Sequence, residues 1–181
     1  MNLMPAQFAA APVVADLYEL AADSCKSGGL YMEFGVYCGH SLRKLRQVMP
    51  GDARLYGFDS FDGLPEPWTV YPKGTFATGF RVTLPNTELV VGTFEATLPA
   101  FVAEHPGPVS LMHIDCDLYA STKTVLEIFR DRLVAGSVIL FDEIVGYAGY
   151  ELHEYRALQE ADLKFEVIGR WNAYRAAIQI R

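Results

Sequence analysis

The sequence predicts an α/β fold: a doubly wound, mostly parallel sheet with helices on both faces. Three observations predict it. Strand-like and helix-like segments alternate from end to end. The strand-like segments are short and nearly all apolar, as strands covered on both faces are, and VSLMHID (109–115) is the clearest of them. Acidic residues recur where these runs stop, at the carboxyl ends where open α/β sheets bind ligands.

Each element has its own signal. Val13, Val14, Leu17, Tyr18, Leu20 and Ala21 follow helical spacing and predict a helix that stops at Gly28-Gly29. LYMEF (30–34) reads as a buried strand, HSLRKLRQVM as a helix closed by Pro50-Gly51, and RLYGF (54–58) as a second strand. ELVVG (88–92) and FEATLPAFVAEH supply the next strand and helix. After VSLMHID come the amphipathic ASTKTVLEIFRDRLVAG with its glycine stop and the strand SVILFDE (137–143). A helix over Tyr150 to Ala161 precedes the strands FEVIG and AAIQI. Only Arg170 to Tyr174 separate those two, which predicts a hairpin and one antiparallel edge strand.

The 181 residues fit one domain, with an N-terminal helical segment over 1–29 and a long irregular stretch over 60–86. That stretch is rich in Gly, Pro and aromatics, the signature of a binding loop or cover. A chain 51% hydrophobic and 13% aromatic is not disordered. Its net charge of -7 argues against a general nucleic-acid binder, which needs clustered Lys and Arg. Cys25, Cys38 and Cys116 form neither a CxxC pair nor a zinc spacing and read as reduced thiols of a cytoplasmic protein. The N-terminus lacks the basic start of a signal peptide, and no apolar run is long enough to span a membrane.

The candidate chemistry sits at the strand ends. In EFGVYCG, Gly35 and Gly39 let the backbone turn sharply from strand to helix and let a ligand approach, with Glu33 just ahead. The GxGxxG dinucleotide fingerprint is absent. Asp59 ends the next strand about 20 residues on, where an acid accepts hydrogen bonds from ribose hydroxyls; the bland alternative is a cap for the turn at Ser60. In HIDCDLYAST, Asp115 and Asp117 face one way if the backbone is extended, and such a pair calls for a cation, proton or ligand. Asp117 could equally cap the helix that follows. Asp142 and Glu143 end the strand expected beside Asp115, so the three could converge on a hard divalent cation such as Mg²⁺. His113 precedes Asp115 and is expected to face away from it.

Taken together, EFGVYCGHS, FDSFDGLP, HIDCDLYAST and FDEI, in this order and spacing, resemble the class I S-adenosylmethionine-dependent methyltransferases, and more narrowly the macrocin O-methyltransferase-like (TylF-like) family. The likeness runs from about residue 30 to 160. It implies a Rossmann-like, seven-stranded sheet with an antiparallel last strand. It implies that Glu33, Gly35 and Gly39 shape the methionine end of the cofactor site, that Asp59 meets the ribose, and that Gly92, Thr93 and Phe94 lie by the adenine. Tyr37, Ser41, Ser60 and Asp115 complete the expected cofactor contacts. Asp115, Asp142 and Glu143 match the family's metal ligands; in relatives the last pair is often Asp-Asp or Asp-Asn.

The implied activity is O-methylation of a small molecule of sugar or natural-product type, with S-adenosylmethionine as cofactor and Mg²⁺ assisting. Asp117 is the first candidate for the base that takes the hydroxyl proton, and His153 the second. Trp68, Tyr71, Phe76 and Phe80 are expected to wall the acceptor. The apolar N-terminal segment also admits a homodimer. The competing reading is a nucleotide- or nucleotide-sugar-binding protein that transfers no methyl group.

Overall fold

The computed structural model describes residues 4–181. One sheet of seven strands organises them: β1 (Leu30–Phe34), β2 (Leu55–Asp59), β3 (Thr87–Val91), β4 (Val109–Ile114), β5 (Val138–Phe141), β6 (Phe165–Arg170) and β7 (Ala176–Ile180). The helices are α1 (Ala6–Ala9), α2 (Leu17–Ser24), α3 (His40–Val48), α4 (Phe94–Glu104), α5 (Tyr119–Phe129) and α6 (Glu154–Glu160). The strand order is β3-β2-β1-β4-β5-β7-β6. β1 to β5 pair in parallel, and β7 runs antiparallel to both of its neighbours. The switch point lies between β1 and β4, so their carboxyl ends open the crevice where a ligand fits.

Alternation along the strands divides the core in two. Met32, Phe34, Phe58, Met112, Ile114 and Phe141 face α4, α5 and α6, with Phe34 stacked on Phe58 at 4.9 Å. Tyr31, Leu55, Leu111, Val138 and Leu140 face α2 and α3. Both layers are buried, which is why these strands read as continuous apolar runs.

Two expectations change. The antiparallel strand is not at the edge: β7 is inserted between β5 and β6, and β6 forms the border. Burial explains the order, because AAIQI is almost entirely buried while FEVIGR is mostly half-exposed. The first long helix also starts later than the periodicity predicts. Asp16 caps α2 by accepting the Tyr18 and Glu19 N–H groups at 2.8 and 3.2 Å. Val13 and Val14 lie extended instead: Val14 donates to the Arg170 carbonyl and Arg170 to the Pro12 carbonyl, both at 2.9 Å. This short segment covers the edge of β6 that would otherwise be open to another chain.

Residues 60–86 form an ordered irregular cover over the strand ends. Trp68 and Tyr71 exchange backbone hydrogen bonds, and Leu64 and Trp68 pack on Leu118. No helix among the described residues is long and apolar enough to cross a membrane.

Candidate active site

A cavity of about 520 Å³ opens across the carboxyl ends of β1 to β5, within the range of roughly 300–1,000 Å³ usual for small-molecule sites. Gly35 and Tyr37 come to it from β1, Asp59 and Ser60 from β2, and Gly92, Thr93 and Phe94 from β3. Asp115 and Asp117 follow β4, and Asp142 and Glu143 follow β5. Most of the candidate residues thus meet around one space.

The β1–α3 turn depends on Gly35. Its φ is +93°, and a Cβ there would lie 1.8 Å from the Asp115 carbonyl oxygen. The close approach lets the Asp115 N–H donate to the Phe34 carbonyl at 2.9 Å and holds the two strand ends together. Asp59 fastens the same turn. Its Oδ2 accepts from the Val36 and Tyr37 N–H groups at 2.8 and 2.7 Å, and its Oδ1 from the Phe61 N–H at 2.7 Å. Three of the roughly four acceptor positions of the carboxylate are therefore in use, and one on Oδ1 is left for a ligand hydroxyl. Asp59 thus caps the turn and still keeps one acceptor position open.

Five expected residues lie off this wall. Glu33 is fully buried and accepts the Ser41 hydroxyl at 2.8 Å. Ser41 lines an adjoining cavity of about 270 Å³, shared with Tyr37, Asp115 and Asp142 and flanked by Lys44 and Arg175. Gly39 (φ +74°) begins α3 and receives the cover, since a Cβ there would meet the Val82 side chain at 2.7 Å. His153 stands outside the cavity, with its ring 6.3 Å from Trp68 and 6.4 Å from Tyr147; burial lowers its pKa, against the pull of Glu66. Phe80 is half-exposed and also does not line the cavity, whereas Trp68, Tyr71 and Phe76 do.

The expectation that His113 faces away from Asp115 is overturned. Residues two apart on a strand share a face, and His113, Asp115 and Asp142 bring ligand atoms within 4.8 Å of one another. His113 is fully buried, with Nδ1 3.5 Å from Glu33 and its ring edge-on to Tyr18.

The electrostatics follow from how many acids the crevice gathers. Burial first, then Asp142 and the other nearby carboxylates, hold the Asp115 carboxyl well above its ordinary range. Asp117 is pushed up to about 7 by burial, then by Glu143 and Asp142. Asp117 does not cap α5 with its side chain: its φ is +64° and the N-cap position belongs to Leu118.

Sequence reading missed two participants. Glu154 is 1% exposed and takes the Asp117 N–H on Oε1 at 3.2 Å, while its Oε2 is buried without a partner. Its signal was the helical spacing that puts it on one buried face with Ala157 and Leu158. Arg175 grips Asp142 through Nε at 2.7 Å and Nη2 at 3.1 Å. It lies just before β7, so nothing in the sequence pairs it with residue 142.

The donors suit a hard cation. Asp115 and Asp142 supply oxygens, and Glu143 has a buried oxygen without a partner. Arg175 is ion-paired to Asp142, and His113 also approaches the pair Asp115 and Asp142.

The geometry defines a class: an α/β enzyme with a cofactor-sized cavity across the carboxyl ends of its sheet, acids at the ends of β2, β4 and β5, and a glycine turn that admits a ligand. Sequence comparison gives the family. The model described as a methyltransferase domain matches residues 32–144, well over half of the chain, and the chain belongs to that family. It is an S-adenosylmethionine-dependent methyltransferase. None of the curated proteins matches it in sequence. Among solved structures it is similar to CalS11, the calicheamicin methyltransferase, at 27% identity and TM-score 0.71, over 90% of this chain and 75% of that one. The apo structure of CalS11, described as a TDP-rhamnose 3′-O-methyltransferase, aligns at 25% identity and TM-score 0.64 over the same shares. The O-methyltransferase NovP shares the fold at 18% identity and TM-score 0.62, over 90% of this chain and 77% of that one.

Proposed function

We propose that this enzyme transfers the methyl group of S-adenosylmethionine to a hydroxyl of a small molecule, with Asp117 as the base. One observation carries the reading: Asp117 is a carboxylate with a pKa raised to about 7, standing on the wall of the cavity that also holds the strand ends of a methyltransferase. The likeness to CalS11 supports oxygen as the methylated atom.

S-adenosylmethionine supplies an activated methyl group, so the protein's task is alignment and proton removal. The free acceptor position on Asp59 serves the ribose. Thr93 and Phe94, at the start of α4, border the adenine. The adjoining cavity, with the N-terminus of α3 and Lys44, suits the methionine carboxylate. The residues 60–86 cover the acceptor and exclude water, with Trp68 and Tyr71 against its ring. Asp117 accepts the hydroxyl proton as the oxygen–methyl bond forms and the methyl–sulfur bond breaks.

Asp115, Asp142 and Glu143 would hold Mg²⁺, which would polarise the acceptor hydroxyl as a Lewis acid. The enzyme incubated with S-adenosylmethionine and a panel of hydroxylated rings is expected to release S-adenosylhomocysteine and a product 14 mass units heavier, methylated on oxygen. A chelator is expected to slow that release. A product methylated on nitrogen or carbon would contradict the reading, and chelator-insensitive turnover would remove the metal from it.

A further inference from the structure

We infer that the acceptor carries no phosphate: the site is built for an uncharged or cationic hydroxylated ring, not for a sugar joined to a nucleoside diphosphate. This rests on the methyltransferase reading and narrows its substrate class.

The first observation is the charge of the wall. No Lys or Arg side chain lines the main cavity, while Glu66, Asp117, Glu143 and Asp142 all do. Phosphate recognition uses Arg or Lys donors or an unobstructed helix N-terminus. Lys73, in the cover between Tyr71 and Phe76, is exposed and does not line the cavity, and two further cations near the site are engaged elsewhere. Arg81 stacks on Phe61 at 3.6 Å and donates to the Thr78 and Phe80 carbonyls, and Arg175 is held by Asp142. The N-terminal turn of α5 does reach the cavity through Ala120 and Ser121. Asp115 and Asp117 stand immediately ahead of it and oppose its partial positive charge of about half a unit. A diphosphate at the mouth would lie against Glu66 inside one screening length, roughly 10 Å at 0.1 M salt. One bound divalent cation would still leave the wall acidic.

The second observation is independent of charge. Tyr37, Phe76, Tyr71 and Trp68 form a continuous aromatic side of the cavity, with successive ring centroids 5.7, 5.3 and 5.6 Å apart. Trp68 is pinned against Leu64 and Leu118. Its indole N–H is buried beside the Tyr147 hydroxyl, and neither completes a hydrogen bond of ordinary geometry. A flat apolar wall of this kind fits the face of a ring.

The test is calorimetry on enzyme saturated with S-adenosylhomocysteine, with and without Mg²⁺, using two probes that share a sugar: p-nitrophenyl rhamnoside and TDP-rhamnose. The neutral glycoside is expected to bind at least about tenfold tighter, a difference of about 1.4 kcal/mol. Glu66→Lys is expected to narrow that ratio several-fold by strengthening TDP-rhamnose. Equal or tighter binding of TDP-rhamnose to the wild type in either buffer would overturn the inference. So would a ratio that Glu66→Lys leaves unmoved, or binding of neither probe. Failure of S-adenosylhomocysteine itself to bind would sink the methyltransferase reading together with it.

Discussion

Asp117→Asn is expected to lower kcat by about 10²–10⁴-fold while leaving the affinity for S-adenosylmethionine nearly unchanged, because a general base acts only on the acceptor's proton. The substitution keeps the shape of the side chain and the backbone N–H that Glu154 accepts. The wild-type pH profile carries the more specific signature. A carboxyl raised to about 7 is mostly protonated below that pH and cannot accept a proton. With no divalent cation bound, the rate should therefore climb about tenfold per pH unit up to about 7 and flatten above it, and Mg²⁺ held by Glu143 and Asp142 should move that limb to lower pH. The residual rate of Asp117→Asn should lack that limb. A variant that kept both the rate and the limb would place the base elsewhere, with Glu143 the next carboxylate on the cavity wall.

Gly35→Ala is expected to be the most damaging small substitution in the chain, costing more than about 4 kcal/mol or preventing folding. Gly28→Ala is the matched control. Both glycines have φ near +90°, so both variants bear the left-handed strain of roughly 1–2 kcal/mol. An added Cβ meets nothing within 4 Å at Gly28 but lies 1.8 Å from the Asp115 carbonyl oxygen at Gly35. The difference isolates the contact between the ends of β1 and β4. Thermal melts should show a small fall for Gly28→Ala and a fall of at least about 8 °C for Gly35→Ala, at roughly 2–4 °C per kcal/mol for this size. Equal falls would mean that the turn relaxes and that Gly35 is there for its φ alone.

The strands were legible because they are buried on both faces, and an apolar run bounded by glycine or acid can hardly be placed otherwise in an alternating chain. The acids at their ends were legible for the complementary reason: Asp59, Asp115 and Asp142 interrupt those runs where the sheet stops. What escaped was set by partners distant in sequence. The pairing of Val14 with Arg170 and the insertion of β7 between β5 and β6 are edge decisions, taken by whichever segment has more apolar surface to hide. Glu154 looked like an ordinary helical acid beside a more conspicuous histidine, and only the packing of α6 on α5 turns it toward Asp117. The placing of His113 away from Asp115 failed on the two-residue period of a strand, a rule available in the sequence itself. In the cover, the aromatic content of residues 60–86 was plain, but not that Trp68, Tyr71 and Phe76 would line the cavity and Phe80 would not.

The most direct test is a calorimetric titration of S-adenosylmethionine into the wild type and into Asp59→Ala. Asp59 both ties the Val36–Tyr37 turn and keeps one acceptor position open toward the cavity, so its loss should remove a ligand contact and loosen the turn that shapes the site. The wild type is expected to bind at micromolar concentration and Asp59→Ala to lose the measurable heat while remaining folded. Absence of binding to the wild type, or equal binding to both proteins, would contradict a cofactor site built across these strand ends.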